Sequence, residues 1–168
     1  GGIKMSFSVK KVEQEDIKQL AAIASEVWHE YFPCILSEGQ IDYMVEKFQS
    51  EHALRDQVEN QGYEYYFLAD SGTVIGYTGI KPEPGKLFLS KLYILKQYRK
   101  QGFASEAFAF LRQYCAERGL KSIWLTVNRH NADTIAVYKK KGFSVMREQE
   151  ADIGGGYVMD DYVMELTL

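Results

Sequence analysis

The residues best suited to chemistry lie in a short basic loop, residues 97–104, which reads QYRKQGFA and has the pattern R-x-x-G-x-A. A loop that enters a helix N-terminus offers unpaired backbone N–H groups and the positive end of the helix dipole, which together can hold a diphosphate. Gly102 and Ala104 leave room for a ligand near the backbone, and Arg99 and Lys100 add positive charge. The pattern favours a diphosphate site as much as it favours a basic loop that caps an ordinary helix.

Two familiar nucleotide patterns are absent from the sequence. It contains neither G-x-G-x-x-G nor a phosphate loop ending in Gly-Lys-Ser/Thr, so nucleotide-dependent hydride or phosphoryl transfer is disfavoured. A metal is not expected either, because Cys34 and Cys115 are far apart and His29, His52 and His130 show none of the close spacings typical of zinc ligands.

The composition is that of a folded chain. Over 168 residues, 46% are hydrophobic and 14% aromatic, which is enough for one core. The net charge of −3 disfavours a nucleic-acid partner and suits a cationic acceptor. No apolar run approaches the roughly 20 residues that cross a bilayer and no signal peptide is recognisable, so we expect no membrane partner and a cytoplasmic location. Gly1 and Gly2 are interpreted as the remnant of an expression tag.

Hydrophobic periodicity predicts the elements that must position this loop. Helical spacing predicts helices over residues 17–31, about 50–62, 102–119 and 131–142. Another helix is predicted to begin at a capping box formed by Ser37 and Gln40. β-rich runs predict strands over residues 7–12, 63–69, 73–80, 87–95, 122–127, 143–153 and 157–168. Pro82, Pro84 and Gly85 predict a loop. A mixed sheet flanked by helices, within one domain covering residues 1–168, is expected.

The stretch around the loop resembles the GNAT superfamily of N-acetyltransferases. The strand LFLSKLYIL, the loop, the helix after it and the segment IWLTVNRHNADTIAVYKKKGF carry this resemblance over residues 87–143. It implies a mixed, mostly antiparallel sheet of about seven strands and acetyl-CoA as co-substrate. The segments FLSKLY and GYVMDDYVMEL are also similar to a bacterial subgroup related to diamine and polyamine acetyltransferases.

The resemblance also implies which residues bind the co-substrate. The strand before the loop would splay from its neighbour and hold the pantetheine arm, and the loop would carry the diphosphate. Asn131 matches the family's asparagine near the start of the following helix, and Tyr138 matches the tyrosine that faces the thioester sulfur. Ala104 replaces the commoner glycine, as the family pattern permits. The implied set is Leu92, Tyr93, Ile94, Arg99, Lys100, Gln101, Gly102, Phe103, Ala104, Ser105, Asn131 and Tyr138.

Tyr138 is the predicted catalytic residue. Aminolysis of a thioester needs a neutral amine, a polarised carbonyl and a proton for the departing thiolate. A phenol with a pKa of about 10 can supply that proton, with water completing the transfer. The backbone N–H of Ile94 could polarise the carbonyl. The alternative for Tyr138 is simple packing on the sheet.

The proton acceptor is left open by the sequence. No glutamate stands in the central strand where some relatives keep their general base, and Ser90 and Lys91 occupy that region. An alkylamine arrives as a cation, so a carboxylate or a water chain must take its proton. The candidates are Glu30, Asp160 and Asp161. Asp160 interrupts the apolar even-numbered face of the last strand, which either a bulge or the border of a cleft would explain.

The end of the first helix is the predicted border of the acceptor site. His29 and Glu30 are candidate acceptor contacts, whereas Trp28 and Tyr31 lie on the apolar stripe and are expected in the core. The run from Lys139 to Lys141 is expected to be a solvated helix end.

The sequence therefore predicts direct acetyl transfer from acetyl-CoA to a primary amine, without an acyl-enzyme, and most readily to a small polyamine-like amine. Three alternatives remain open. The acceptor could be a protein lysine or N-terminal amine, the chain could sense CoA without catalysis, and it could act as a monomer or as a homodimer.

Overall fold

A computed structural model describes residues 6–168 of the chain, so the proposed tag remnant at Gly1 and Gly2 lies outside the described residues. Within that range the strands are β1 (Phe7–Lys11), β2 (Glu64–Asp70), β3 (Thr73–Glu83), β4 (Lys86–Ile94), β5 (Ser122–Asn128), β6 (Ser144–Gly154) and β7 (Tyr157–Thr167). The α-helices are α1 (Ile17–Tyr31), α2 (Glu38–Gln49), α3 (Glu51–Asn60), α4 (Phe103–Arg118) and α5 (Ala132–Lys140). Single 3-10 turns occur at Gln14–Asp16 and Lys96–Tyr98.

The strands form one sheet in the order β1-β2-β3-β4-β5-β7-β6. Every neighbouring pair is antiparallel except β4 and β5, which are parallel. The predicted mixed, mostly antiparallel sheet of about seven strands flanked by helices is confirmed.

Helices cover both faces of the sheet. On β2, Tyr65 and Phe67 point into a core shared with α1, α2 and α3, whereas Tyr66 and Leu68 point to the opposite side, where α4 packs. Successive side chains of a strand point to opposite faces, so the unbroken apolar run of β2 is what a centrally placed strand requires.

The helix boundaries follow from local sequence. The hydroxyl of Ser37 accepts the N–H of Gln40 at 3.1 Å and starts α2, and the hydroxyl of Ser50 accepts the N–H of Ala53 at 3.2 Å and starts α3. The predicted capping box is only half formed, because the side chain of Gln40 donates to the carbonyl of Val158 instead. No helix of residues 6–168 combines the length and apolar character needed to span a membrane.

The turn between β3 and β4 is shorter than the sequence predicted. β3 continues through Pro82 to Glu83, and only Pro84 and Gly85 separate it from β4. The partner strand β2 begins at Glu64, opposite Ile80. Pro82 therefore lies on a part of β3 that has a free edge, which is where a strand tolerates proline.

β4 and β5 separate soon after they start. They pair only at Lys86–Ser122, Leu87–Ile123 and Phe88–Trp124. Just beyond, the register of β4 against β3 shifts so that Ser90 is an extra, bulged residue between Leu89 and Lys91. The rest of β4 then diverges from β5 and leaves an opening in the middle of the sheet.

Candidate active site

The opening between β4 and β5 is a cleft of about 880 Å³. Its walls come from both faces of the sheet, with Trp28, Phe32 and Met44 from the α1 and α2 side and Phe108 and Tyr138 from the α4 and α5 side. This volume lies within the range of small-molecule sites. The opening between the strands is therefore lined from both faces of the sheet.

The first turn of α4 borders the cleft with exposed backbone donors. Its N-cap residue, Gly102, has a φ of +89°, a left-handed conformation that glycine adopts without strain, and it has no side chain that could cap the helix. The first intrahelical bond runs from the N–H of Glu106 to the carbonyl of Gly102, so the N–H groups of Phe103, Ala104 and Ser105 precede it. All three of these residues line the cleft. The turn can bind an anion through its main chain.

Lysines surround this turn. Lys100 is exposed, adopts a left-handed φ of +60° and lines the cleft. Lys141, immediately after α5, donates to the Ser105 hydroxyl at 3.2 Å and its ammonium lies 4.9 Å from the centre of the Phe108 ring. The sequence interpretation, which treated Lys141 as part of a solvated helix end, missed this residue. Gln101 is not among the residues that line the cleft, and its side chain donates to the Gln97 carbonyl.

Arg99 and Glu30 are largely engaged with protein groups. The Nε of Arg99 donates to the Ile94 carbonyl at 2.9 Å, and its Nη2 lies 3.7 Å from the Glu30 carboxylate. The guanidinium also lies 3.8 Å from the centre of the Tyr31 ring. Glu30 accepts the backbone N–H of Lys96 at 3.1 Å. The two side chains tie α1 to the loop, and a role in ligand binding stays a prediction for both.

The free edge of β4 forms one wall of the cleft through Leu92, Tyr93 and Ile94. The N–H of Leu95 donates to Ile75 of β3 at 2.8 Å. Because N–H groups alternate sides along a strand, the N–H of Ile94 points away from β3, toward the side where β5 has diverged. A backbone donor is thus directed into the opening.

Asn131 and Tyr138 lie on α5, across the cleft from β4. The side-chain oxygen of Asn131 accepts the N–H of Thr134 at 3.3 Å and caps the helix. Tyr138 is half-buried and packs edge-on against Phe108 and Phe143, with ring centres 6.0 and 5.3 Å away. Burial, with a smaller contribution from Tyr31, raises the pKa of Tyr138 above its ordinary value, so the phenol keeps its proton.

Asp161 is a buried carboxylate on the cleft wall. It is 4% exposed and lies on β7 opposite Asn128 of β5. Burial and the neighbouring Asp160 raise its pKa to about 6, against the opposing effect of Lys91. Asp160 faces the other side, where its carboxylate pairs with the Nε of Arg129 at 2.8 Å, and it does not line the cleft. Of the two adjacent candidates, the structure brings only Asp161 into the site.

Lys91 is the second titratable group in this part of the cleft. Its ammonium donates to the Ser90 hydroxyl at 2.8 Å and to the Ser90 carbonyl at 3.2 Å. Burial lowers the pKa of Lys91 to about 8, and the attraction of Asp161 opposes this shift. The sequence indicated only that Lys91 stood in the region where some relatives keep a base.

Aromatic rings line the α1 side of the cleft. Tyr93 contacts Trp28, Tyr31 and Phe32, with ring centres 6.1, 5.1 and 6.2 Å away. Trp28 is buried, as expected, whereas Tyr31 is half-buried and borders the cleft.

His29 is not part of the cleft. Its ring is exposed and is bound to the Asp42 carboxylate of α2 and to the Ser25 carbonyl, both at 2.7 Å. Position 29 follows Trp28 by one residue, so its side chain leaves α1 about 100° away from the cleft-lining face. His29 therefore bridges two helices, and the structure does not bring it together with the other candidates.

Residues 21–143 match the acetyltransferase (GNAT) family. The chain is 29% identical over 161 residues to a spermidine N(1)-acetyltransferase of Thermoplasma acidophilum. The aligned region covers 93% of this chain and 97% of that protein. It is 27% identical over 133 residues to a Bacillus subtilis subsp. natto protein named "Probable spermine N(1)-acetyltransferase", over 74% of this chain and 84% of that protein.

Solved structures share the fold. The PaiA N-acetyltransferase of Thermoplasma acidophilum in complex with coenzyme A superposes with a TM-score of 0.80 over 98% of this chain and 100% of that chain, at 23% identity. A GCN5-related N-acetyltransferase of Rhodopseudomonas palustris also gives a TM-score of 0.80, over the full length of both chains, at 18% identity.

Proposed function

This chain belongs to the acetyltransferase (GNAT) family, and we propose that it transfers an acetyl group from acetyl-CoA directly to the primary amine of a small, polyamine-like acceptor. The observation that carries the proposal is the cleft between β4 and β5, which is lined by residues from both faces of the sheet. One side has an uncapped helix start surrounded by lysines, and the other has a buried carboxylate among aromatic rings. The two sides suit an anionic co-substrate and a cationic acceptor, respectively.

The α4 side is the proposed co-substrate site. The N–H groups of Phe103, Ala104 and Ser105, with Lys100 and Lys141 beside them, would hold the diphosphate of acetyl-CoA. The free edge of β4 would hydrogen-bond the amide groups of its pantetheine arm. When bound, acetyl-CoA supplies the thioester whose acetyl group is transferred.

Asp161 is the proposed acceptor contact and proton acceptor. With a pKa of about 6 it is mostly ionised at pH 7, so it can attract an ammonium group and then accept its proton. Tyr93 adds an aromatic ring to this side of the cleft, and aromatic rings attract cations, as the guanidinium of Arg99 over the Tyr31 ring illustrates. The carboxylate thus both selects the amine and helps to make it a nucleophile.

Tyr138 is proposed to act on the leaving sulfur. Because burial raises the pKa of Tyr138, proton transfer from the phenol to a thiolate with a pKa near 8.5 is uphill. The phenol therefore acts mainly by donating a hydrogen bond to the developing thiolate, and water completes the protonation. The N–H of Ile94 is the proposed donor to the carbonyl oxygen of the thioester.

The acceptor class is proposed from two independent grounds. One is the buried carboxylate in an otherwise largely apolar and aromatic cleft. The other is the pair of relatives that are named for spermidine and spermine acetylation. We also propose that residues 1–168 form one domain, because β6 and β7, which follow the matched residues 21–143, belong to the same sheet as β2 to β5.

The test is an acceptor screen with acetyl-CoA, in which free thiol is measured for polyamines, amino acids, aminoglycosides and peptides. Spermidine, spermine and short diamines are expected to accelerate thiol release most. A response to peptides alone would replace the proposal with protein acetylation. Coenzyme A binding by calorimetry, with no amine that accelerates thiol release, would replace it with a binding protein.

A further inference from the structure

Lys91 brings a primary amine into the cleft that the proposed reaction does not use. Its side chain is half-buried, its ammonium lies 5.9 Å from the centre of the Trp28 ring, and Trp28 itself contacts Tyr93. Leu92, Tyr93 and Ile94, the proposed pantetheine contacts, follow it directly on β4. The amine therefore sits at the acceptor end of the segment that would position the thioester.

The Lys91 amine forms no ion pair with the described residues. No carboxylate of residues 6–168 lies within 4.0 Å of the Lys91 ammonium, and Asp161, the charged group that affects its pKa, acts from a greater distance. Its two hydrogen bonds go to Ser90, the bulged residue next to it. A neutral amine can donate both of these bonds and still present its lone pair to the cleft.

A usable fraction of the side chain is in the reactive form. With a pKa of about 8, about a tenth of the Lys91 side chains are neutral at pH 7, whereas an ordinary lysine is neutral about once in several thousand molecules. Burial is the main cause of this shift, and the Trp28 ring lies beside the ammonium.

We propose that Lys91 is itself an acetyl acceptor, so that the protein acetylates its own cleft when acetyl-CoA is bound and no amine substrate is present. This inference rests on the proposed function. The Nζ of Lys91 attacks the thioester carbonyl, the new N–C bond forms as the C–S bond breaks, Asp161 takes the proton from nitrogen through an intervening water molecule, and coenzyme A leaves as the thiolate and is protonated by water.

The product is a side-chain amide, which is not an acyl donor, so the acetyl group stays on Lys91 and the modified lysine is not a reaction intermediate. It removes one positive charge and adds an acetyl group to the acceptor side of the cleft. Acetylation of Lys91 should therefore slow the enzyme, and a bound acceptor should prevent it by occupying the same space.

The experiment is a time course of the full chain with acetyl-CoA and no amine, followed by intact mass and peptide mapping. We expect one added acetyl group on Lys91, formed more slowly than turnover with an amine, and a parallel loss of activity. Excess coenzyme A or spermidine should suppress it. The Lys91→Arg variant should lose this modification, and Lys121→Arg, which changes an exposed lysine outside the cleft, should retain it.

The outcomes separate the two proposals. Rapid thiol release with an amine, but no acetyl group on Lys91 in its absence, would overturn the inference and leave the proposed function standing. Equal labelling of Lys91 and Lys121 that excess coenzyme A does not suppress would also overturn it, because it would be solution chemistry. Labelling of neither lysine together with no thiol release for any amine would count against the proposed function. Should the arginine variant fail to fold, the peptide map of the unaltered protein decides the question.

Discussion

The ammonium of Lys141 donates a hydrogen bond to the hydroxyl of Ser105 at 3.2 Å, which holds the end of α5 against the first turn of α4. A positive side chain is thereby fixed next to the main-chain donors of that turn. The two helices are separated by β5 in the sequence, so only the folded chain brings this charge to the proposed diphosphate site.

We expect Lys141→Ala to raise the KM for acetyl-CoA about 3- to 10-fold with little change in kcat, because a charged hydrogen bond contributes about 1 kcal/mol in a partly solvated site. Lys139→Ala is the matched control, since Lys139 is exposed and does not line the cleft. Steady-state kinetics at two salt concentrations measures the effect. An equal change for both variants would show that Lys141 acts only through general charge.

Tyr138→Phe is expected to lower kcat about 10- to 100-fold and to leave the KM for acetyl-CoA within about 2-fold. The phenol hydroxyl is proposed to meet the sulfur only as it becomes a thiolate, so its loss affects the reaction and not binding. The ring itself, which packs against Phe108 and Phe143, is retained. An unaltered kcat would leave Tyr138 with a packing role alone.

Asp161→Asn is expected to lower activity and to raise stability at pH 7. The unfolded carboxyl group has a pKa of 3.8 and the folded one of about 6, so the folded protein retains a proton that the unfolded chain releases between these values. The free energy of unfolding therefore falls as pH rises through about 4 to 6. Above that range the buried, ionised carboxylate destabilises the folded protein to its full extent. Removing the charge should raise the free energy of unfolding by about 1–2 kcal/mol. This is less than the full pKa difference implies, because water reaches the cleft. Thermal unfolding at pH 7.5 measures this, and a lower Tm would contradict it.

The pH profile of kcat/KM is expected to rise through about pH 6 in the unaltered protein, where Asp161 becomes ionised. This limb should be absent from the residual activity of Asp161→Asn. Persistence of the limb in that variant would assign it to another group. Asp160→Asn should keep the limb but move it to lower pH, because the charge of Asp160 contributes to the raised pKa of Asp161.

Tyr77→Phe is expected to destabilise the fold by about 1–3 kcal/mol. The indole N–H of Trp28 donates to the Tyr77 hydroxyl at 3.0 Å, and that hydroxyl donates to the side-chain oxygen of Gln49 at 2.8 Å, so both partners would be left buried and unpaired. Denaturant unfolding measures the loss. Tyr98→Phe, in which the hydroxyl makes no hydrogen bond within residues 6–168, should change stability by less than about 0.5 kcal/mol.

The local elements could be predicted from sequence because their signals are local. Ser37 and Ser50 cap helices, Pro33 follows the end of α1, and alternating or continuous apolar runs mark the strands. The turn before α4 was recognisable for the same reason, since the donors and the glycine that exposes them lie within a few residues of one another.

The presence of Lys91 and Asp161 in one cleft could not be predicted, because the two residues lie on strands that are distant in sequence. Lys91 and Asp161 come from β4 and β7, on opposite sides of the opening. The sequence left both Asp160 and Asp161 as candidates for a related reason. β7 lies between β5 and β6 and has side chains buried on both faces, so the apolar alternation that Asp160 interrupts does not identify the cleft side.

The three residue pairs that join β4 to β5 have a mechanical consequence. The sheet has two halves, β1 to β4 and β5 to β7, which are hydrogen-bonded to each other at one end only. An extended ligand lying along β4 would occupy the position where further strand pairing is missing. Binding of such a ligand should therefore make both halves of the sheet more rigid.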